Sequence, residues 1–239
     1  MLFLFRKKTI VLDLFTNDAA ALEYAKPAVA SRFHPEWWKR LPKSIPTDLA
    51  PSPTMKTCAG FIDLYRHGFM FPMWSDLFLR VENNFEFTWK YSDSYSYALY
   101  HKPEEAGNLF FESKVRNIKL HNPWLASSKE DVYWMLHQPV WSQDLQRDLI
   151  IPPAVVNFKY QNTTAINILI ADMDRPRELI IPFGLPMVHY IPIDDRPIDL
   201  KLHLVTQEEF NRIGQKNNPR SFLNAYRKKI AATKEQNNV

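Results

Sequence analysis

His34, His67, His101, His121, His137, His189 and His203 are the side chains of this 239-residue chain best suited to binding a metal or moving a proton. Two histidines four apart on a helix, or Cys and His at finger spacing, would present their ligand atoms to one ion. None of the seven stands in such a pair, so a metal site requires three of them to converge from separate strands, as in cupin-like barrels. The plainer reading is ordinary hydrogen-bonded histidine, and no cofactor is assigned. Cys58 is the single thiol, and its setting, Lys-Thr-Cys-Ala-Gly, carries no mark of an activated nucleophile. A small buried side chain is the expected role. The chain also lacks a Gly-rich phosphate loop, a Gly-x-Ser-x-Gly elbow and a His-Glu-x-x-His pair, which leaves no catalytic set to assign.

Two stretches are suited to contact rather than to catalysis. Trp37 and Trp38 stand beside Arg40 and Lys43, where exposed rings would dock a partner or stack on bases, and packed rings would anchor the segment to the body. Packed rings are the simpler of the two. From Thr206 onward seven Lys and Arg, Arg227, Lys228 and Lys229 among them, face three Glu. This tail carries the whole net charge of +4 and leaves the rest of the chain formally neutral. A charge of that size gives only weak, salt-sensitive contact with nucleic acid or an acidic surface, and a solvated face explains it equally well.

The elements that must position these residues are short. Aromatic content of 14%, with 5 Gly and 18 Pro, suits many Pro-bounded strands better than a helical bundle. Strands are expected over residues 9–15, 69–80, 85–91, 95–101, 113–120, 155–158 and 165–170, with a tight turn at Asn83-Asn84. Residues 179–193 form two apolar runs hinged at Gly184-Leu185-Pro186, the pattern of a buried hairpin or strand corner. Asn17 or Asp18 caps a short helix before Pro27, and residues 61–65 make a helix ended by Gly68. Residues 131–138 fit a strand or one helical turn. Residues 43–54, with Pro46, Pro51 and Pro53, read as an extended connector. Thr206 and Glu209 form a capping box, and Phe222, Leu223, Tyr226 and Ile230 continue at helical spacing.

A single cysteine and an N-terminal Met-Leu-Phe-Leu-Phe-Arg-Lys-Lys point to a reducing compartment. No apolar run approaches the ~20 residues of a membrane span.

Residues 154–162, Ala-Val-Val-Asn-Phe-Lys-Tyr-Gln-Asn, resemble the third motif of the dUTPase-type trimeric β fold. That motif runs Gly, two aliphatics, Asp, two variable residues, Tyr and Arg-Gly. The aliphatics and Tyr160 are kept, but Asn157 stands where the family has the carboxylate that activates water, and an amide is no general base. Gly184 to Ile191 keep the apolar frame of a second family motif without its polar pair. Ala126-Ser127-Ser128 echoes the phosphate-binding Arg-Ser-Ser without the Arg. The resemblance spans residues 120–195 and implies the β-clip frame, with Ser127, Ser128, Asn157 and Tyr160 as nucleotide contacts if a pocket persists. The chain also resembles a group of proteins encoded by large tailed bacteriophages, through Trp37-Trp38-Lys39, Lys56-Thr57-Cys58, residues 72–76, Asn122-Pro123-Trp124 and Gly184. That likeness implies a phage origin and no reaction.

The expectation is a mainly β protein. Residues 1–54 form an N-terminal arm and connector, residues 55–205 a β-sandwich or a β-clip, barrel-like body, and residues 206–239 a basic helical tail. It acts without catalysis in a virion or the host cytoplasm, touching copies of itself or other phage proteins through Trp37, Trp38, Arg40, Arg227, Lys228 and Lys229. A nucleotide-binding or metal-dependent enzyme is the alternative.

Overall fold

The computed structural model describes residues 8–82, 86–94, 96–107, 115–142, 149–171 and 174–215. In chain order the strands are β1 (Ile10–Thr16), β2 (Ala28–Val29), β3 (Ser44–Ile45), β4 (Ser52–Pro53), β5 (Phe69–Pro72), β6 (Leu77–Val81), β7 (Phe87–Tyr91), β8 (Ala98–His101) and β9 (Arg116–Leu120). They continue as β10 (Leu125–Ser127), β11 (Trp134–His137), β12 (Leu149–Ile150), β13 (Ala154–Val156), β14 (Ile166–Ile170), β15 (Arg177–Ile181), β16 (Pro186–Pro192) and β17 (Ile198–Leu204). The helices are α1 (Ala19–Tyr24), α2 (Glu36–Arg40), α3 (Ala59–Arg66) and α4 (Gln207–Gly214).

Most strands follow from alternation. β1, β6, β9 and β14 each bury every second side chain, which places Ile10, Leu12, Leu14, Leu77, Leu79, Ile118, Leu120, Ile166 and Ile168 on one inner face each. Those faces meet in one apolar core that also takes in Trp124, Trp134, Phe158 and Tyr190. Around it lie sheets of order β10-β1-β17, β13-β11-β16-β5-β2, β12-β14-β9-β8 and β15-β6-β7. The body is mainly β, and among the described residues none of these sheets closes into a barrel. The barrel-like part of the expectation is corrected accordingly.

The strand expected over residues 9–15 forms as the middle strand of a sheet: β1 runs parallel to β17 from Ile10 opposite Ile198 to Thr16 opposite Leu204, and antiparallel to β10. Two further expectations change. Residues 69–80 are two strands, because the chain turns at Met73–Asp76 and β5 and β6 enter different sheets. Residues 43–54 are not simply extended, since β3 and β4 pair as a small ribbon and Thr54 donates to the Pro42 carbonyl.

The stretch around Gly184 is the corner and not the hairpin, with β15 paired to β6 and β16 paired to β5 and β11. Gly184 takes φ +78°, donates to the Met73 carbonyl at 2.8 Å, and Leu185 accepts from Met73 at 2.7 Å. A Cβ at Gly184 would meet nothing within 4 Å, so backbone angle alone calls for glycine there.

The five-stranded sheet is covered on its second face too, in part. Residues 30–66 lie against it and form a smaller core of Ala30, Phe61, Tyr65 and Met70, flanked by Phe33, Trp38, Met55, Cys58 and Leu64. β5 is therefore buried at all four positions and β16 at most of its seven. Gly68, at φ +80°, ends this layer where a Cβ would fall 2.0 Å from the Tyr190 carbonyl oxygen.

The N-terminal caps form as the sequence directs. Asp18 accepts from the Ala20 and Ala21 amides at 2.8 and 3.1 Å, and Thr206 accepts from Glu209 at 3.2 Å. The second half of the capping box is absent in the described bonds, because the Glu209 carboxylate pairs with Arg212. The Asn83-Asn84 turn and the helical continuation past residue 215 lie outside the described residues.

Candidate functional site

Two surfaces stand out once the side chains are placed. The first is a cleft of about 820 Å³, built where the start of α1, helix α4, the exit of β9 and the loop 163–165 come together. β9 delivers Lys119 to it and then His121, Asn122, Pro123 and Trp124 in succession. The opposite loop is held in place by the Asn162 carbonyl accepting from Ala126 at 2.9 Å and by Thr164 donating to the Trp124 carbonyl. Across the mouth, Asn17 donates to Gln207, and Gln207 donates to Asn211 at 2.9 Å, so three amides run from α1 to α4.

Aromatic rings line much of the same cleft. Tyr97 is 55% exposed and stacks on His121 with ring centres 4.1 Å apart, while Trp74 donates to Ser96 at 3.0 Å. Phe210 contributes from α4. Burial first, then the nearby Lys119 and His101 charges, hold the His121 imidazole below its ordinary range, so it is neutral near pH 7. Three side chains in this run, His121 at Nε2, Asn122 at Nδ2 and Trp124 at Nε1, hold buried polar atoms with no hydrogen-bond partner among the described residues. Each of these atoms is closed off from solvent, so it lies behind the cleft surface and not on it.

The second surface is the uncovered part of the five-stranded sheet's outer face. Met135 on β11 lies opposite Val155 on β13 and Ile191 on β16, and Ile193 donates to the Tyr133 carbonyl at 2.8 Å. Tyr133, Met135, Val155 and Ile193 are between 39% and 64% exposed, an apolar row on a face whose other end is capped by residues 30–66. Along the chain from β11, Val140 and Trp141 remain exposed beside Trp37.

Trp37 and Trp38 divide between the two roles foreseen for them. Trp38 stacks on Phe61 and His34, donates to the Met55 carbonyl at 3.0 Å, and carries the Lys56 ammonium 4.0 Å over its ring. Trp37 is 41% exposed, donates to the Trp141 carbonyl and packs its edge on Phe61. Arg40 is exposed, and Arg227, Lys228 and Lys229 lie outside the described residues.

The four nucleotide-contact residues come close together without lining the cleft. The Ser128 amide donates to the Phe158 carbonyl at 3.1 Å, joining the two segments, yet the Ser128 hydroxyl donates to Val11 and accepts from Glu130. Asn157 and Tyr160 both donate to the Asp131 carboxylate, at 2.6 and 2.7 Å. Ser127 sits in β10 opposite Asp13.

The histidines are scattered in role. His101 pairs with Glu105 and His203 with Asp13, while His34 lies between Trp38 and Tyr65. His137 and His189 are neighbours across β11 and β16, with ring centres 5.0 Å apart. Among the described residues no three His, Cys, Asp or Glu side chains gather as a metal site would require. Cys58 is half-buried against the smaller core.

Sequence reasoning missed the cleft. Nothing local ties Asn122-Pro123-Trp124 to Thr163 or Phe210. No protein-family model matches the chain, and no curated protein matches it in sequence. What fold and surfaces define is a mainly β protein with several open sheets around one core and two candidate contact surfaces. No helix among the described residues is long and apolar enough to cross a membrane.

Proposed function

We propose that this is a non-enzymatic protein that works by associating with copies of itself through the uncovered face of the five-stranded sheet. The observation that carries this is the row Val155, Met135, Ile191 with Tyr133 and Ile193 beside it. A run of exposed apolar side chains on a regular sheet face is a contact surface more often than a chance grouping. A second copy is the fitting occupant because the row carries no charge to repel its own image across a two-fold axis. Pro152 and Pro153 lead into edge strand β13 and blunt strand addition there, which favours contact by the face over contact by the edge.

A sandwich-like body with a β-clip portion over residues 120–195 remains part of this reading, supported by the motif resemblance. A phage origin, with action in the virion or in the host cytoplasm, is supported by the scattered residues cited above. The nucleotide-binding alternative is weaker because Ser128, Asn157 and Tyr160 spend their polar groups on their own chain.

Light scattering after size exclusion tests the proposal. At about 50 μM the protein is expected to run at a multiple of its 28.2 kDa chain mass, and Met135→Glu to run at the chain mass, since burying an unpaired carboxylate in the contact costs several kcal/mol. Wild-type protein that is monomeric at that concentration ends this reading.

A further inference from the structure

We infer that the outer edge of β17 is a second contact site, where another copy of this chain adds its own β17 antiparallel across a two-fold axis. With seven residues, β17 is the longest edge strand among the described residues. Its inner edge is paired to β1. Ile10 donates to the Pro197 carbonyl and Val205 to the Thr16 carbonyl, each at 2.9 Å, and these end bonds fix which residues the ladder uses. They are Pro197, Val205 and the odd-numbered residues between them. The N–H and C=O groups of Ile198, Leu200 and Leu202 therefore point away from β1, and they have no hydrogen-bond partner among the described residues.

The side chains on this edge are open as well. Leu200 and Leu202 pack against the main core yet stay only half-buried, whereas Leu12 and Leu14, their register partners on β1, are fully buried. One more strand would give them the cover that β1 receives from both sides. An unpaired edge invites strand addition unless it is short or carries proline or charge. β2 and β12 have two residues each, β13 has three and follows Pro152 and Pro153, but β17 has no proline from Ile198 to Leu204.

Charge selects the occupant and its register. A two-fold axis through a residue keeps apolar side chains opposite apolar ones, while an axis between residues sets them on opposite faces. With the axis at Leu200, Ile198 lies opposite Leu202 of the second copy on the inner face. On the outer face Asp199 lies opposite Lys201 of the second copy, and Lys201 opposite its Asp199. Both are exposed and have no ion partner among the described residues. Moving the axis to residue 199 or 201 sets Asp199 on its own image or Lys201 on its own, and like charges directly opposite are destabilising. A two-fold pair also closes on itself, so each edge satisfies the other. This contact is independent of the face that carries Met135, and where both form, copies join beyond the dimer.

The test uses the full chain carrying Met135→Glu, which removes the face contact. A pair of seven-residue strands falls short of the roughly 1,200 Å² of a stable interface, so the association is weak. By sedimentation equilibrium this variant is expected to be a monomer at about 50 μM and a dimer near about 1 mM, the range of weak complexes. Adding Asp199→Lys, or instead Lys201→Asp, turns two opposite-charge pairs into like-charge pairs and should weaken the dimer about tenfold. The two variants mixed in equal amounts carry complementary charges and should dimerise again, a rescue that a merely structural role would not give. Melting temperatures should stay unchanged, because both side chains are exposed. A Met135→Glu chain that remains monomeric at about 1 mM overturns the inference, which is also the result if another segment of the same chain covers the edge. A dimer that neither charge reversal weakens overturns it as well. The face contact is read on the wild type and the edge contact on Met135→Glu, so the two fail separately.

Discussion

At the scale of single residues, the most consequential group is one that does no chemistry. His189 is fully buried, its Nε2 donates to the His67 carbonyl at 2.7 Å, and Tyr65 and His137 stand beside its ring. Burial chiefly, with the His137 and His67 charges adding to it, lowers its pKa to about 4. The folded chain therefore declines a proton that the unfolded chain accepts below about 6.5, and acid favours unfolding across that window. The contribution is fully present above pH 6.5 and is lost as pH falls toward 4, at a total of about 3 kcal/mol. Urea midpoints measured from pH 7 to 4.5 should fall for the wild type, and should fall less for His189→Gln, which keeps an amide donor for the His67 carbonyl. Equal slopes for the two proteins would count against the buried neutral imidazole. The two corner glycines make a second contrast at this scale. Gly68→Ala forces a Cβ onto the Tyr190 carbonyl and should cost about 3 kcal/mol or more, whereas Gly184→Ala meets open space and should cost about 1–2 kcal/mol from its backbone angle. Both glycines were legible as chain-turning positions, but only the fold shows which one has a strand against it.

At the scale of elements, the layer made by residues 30–66 decides how the five-stranded sheet meets its surroundings. Phe61 is its centre, touching Trp37, Trp38, Tyr65 and Trp141 at ring-centre distances of 4.9 to 5.7 Å. Phe61→Ala should remove about 3–5 kcal/mol of stability, read as a drop in urea midpoint, and should raise proteolysis within residues 30–66 before the body is cut. The sequence made part of this visible. Phe69-Met70-Phe71-Pro72 is continuously apolar, the mark of a strand covered on both faces, and Pro186 to Tyr190 is apolar but for His189, while β11 alternates and leaves Met135 outward. What no local pattern carries is which element does the covering. The cap of α1 by Asp18 and that of α4 by Thr206 were readable because both partners lie within three residues. The cleft was not readable, since it joins residue 17 to residue 207 and residue 97 to residue 121.

At the scale of the whole molecule, the same distinction governs β1. β1 looks like a detachable arm because a connector rich in Pro follows it, yet its strand neighbours lie more than 100 residues further along. Pairing across such distances leaves no trace in local composition. Deleting residues 1–16 should therefore abolish cooperative thermal unfolding, because Leu12 and Leu14 leave the core and both β10 and β17 lose their partner. A truncated chain with a sharp transition by circular dichroism would show that the strand is dispensable. The parallel pairing of Ile10 with Ile198 also sets a timetable for the nascent chain. With about 5–20 residues added per second, β1 waits on the order of ten to forty seconds for β17, its last neighbour. Throughout that interval Ile10, Leu12 and Leu14 lack their final cover, which makes synthesis, more than the finished protein, the stage at which this chain depends on protection from its own apolar edge.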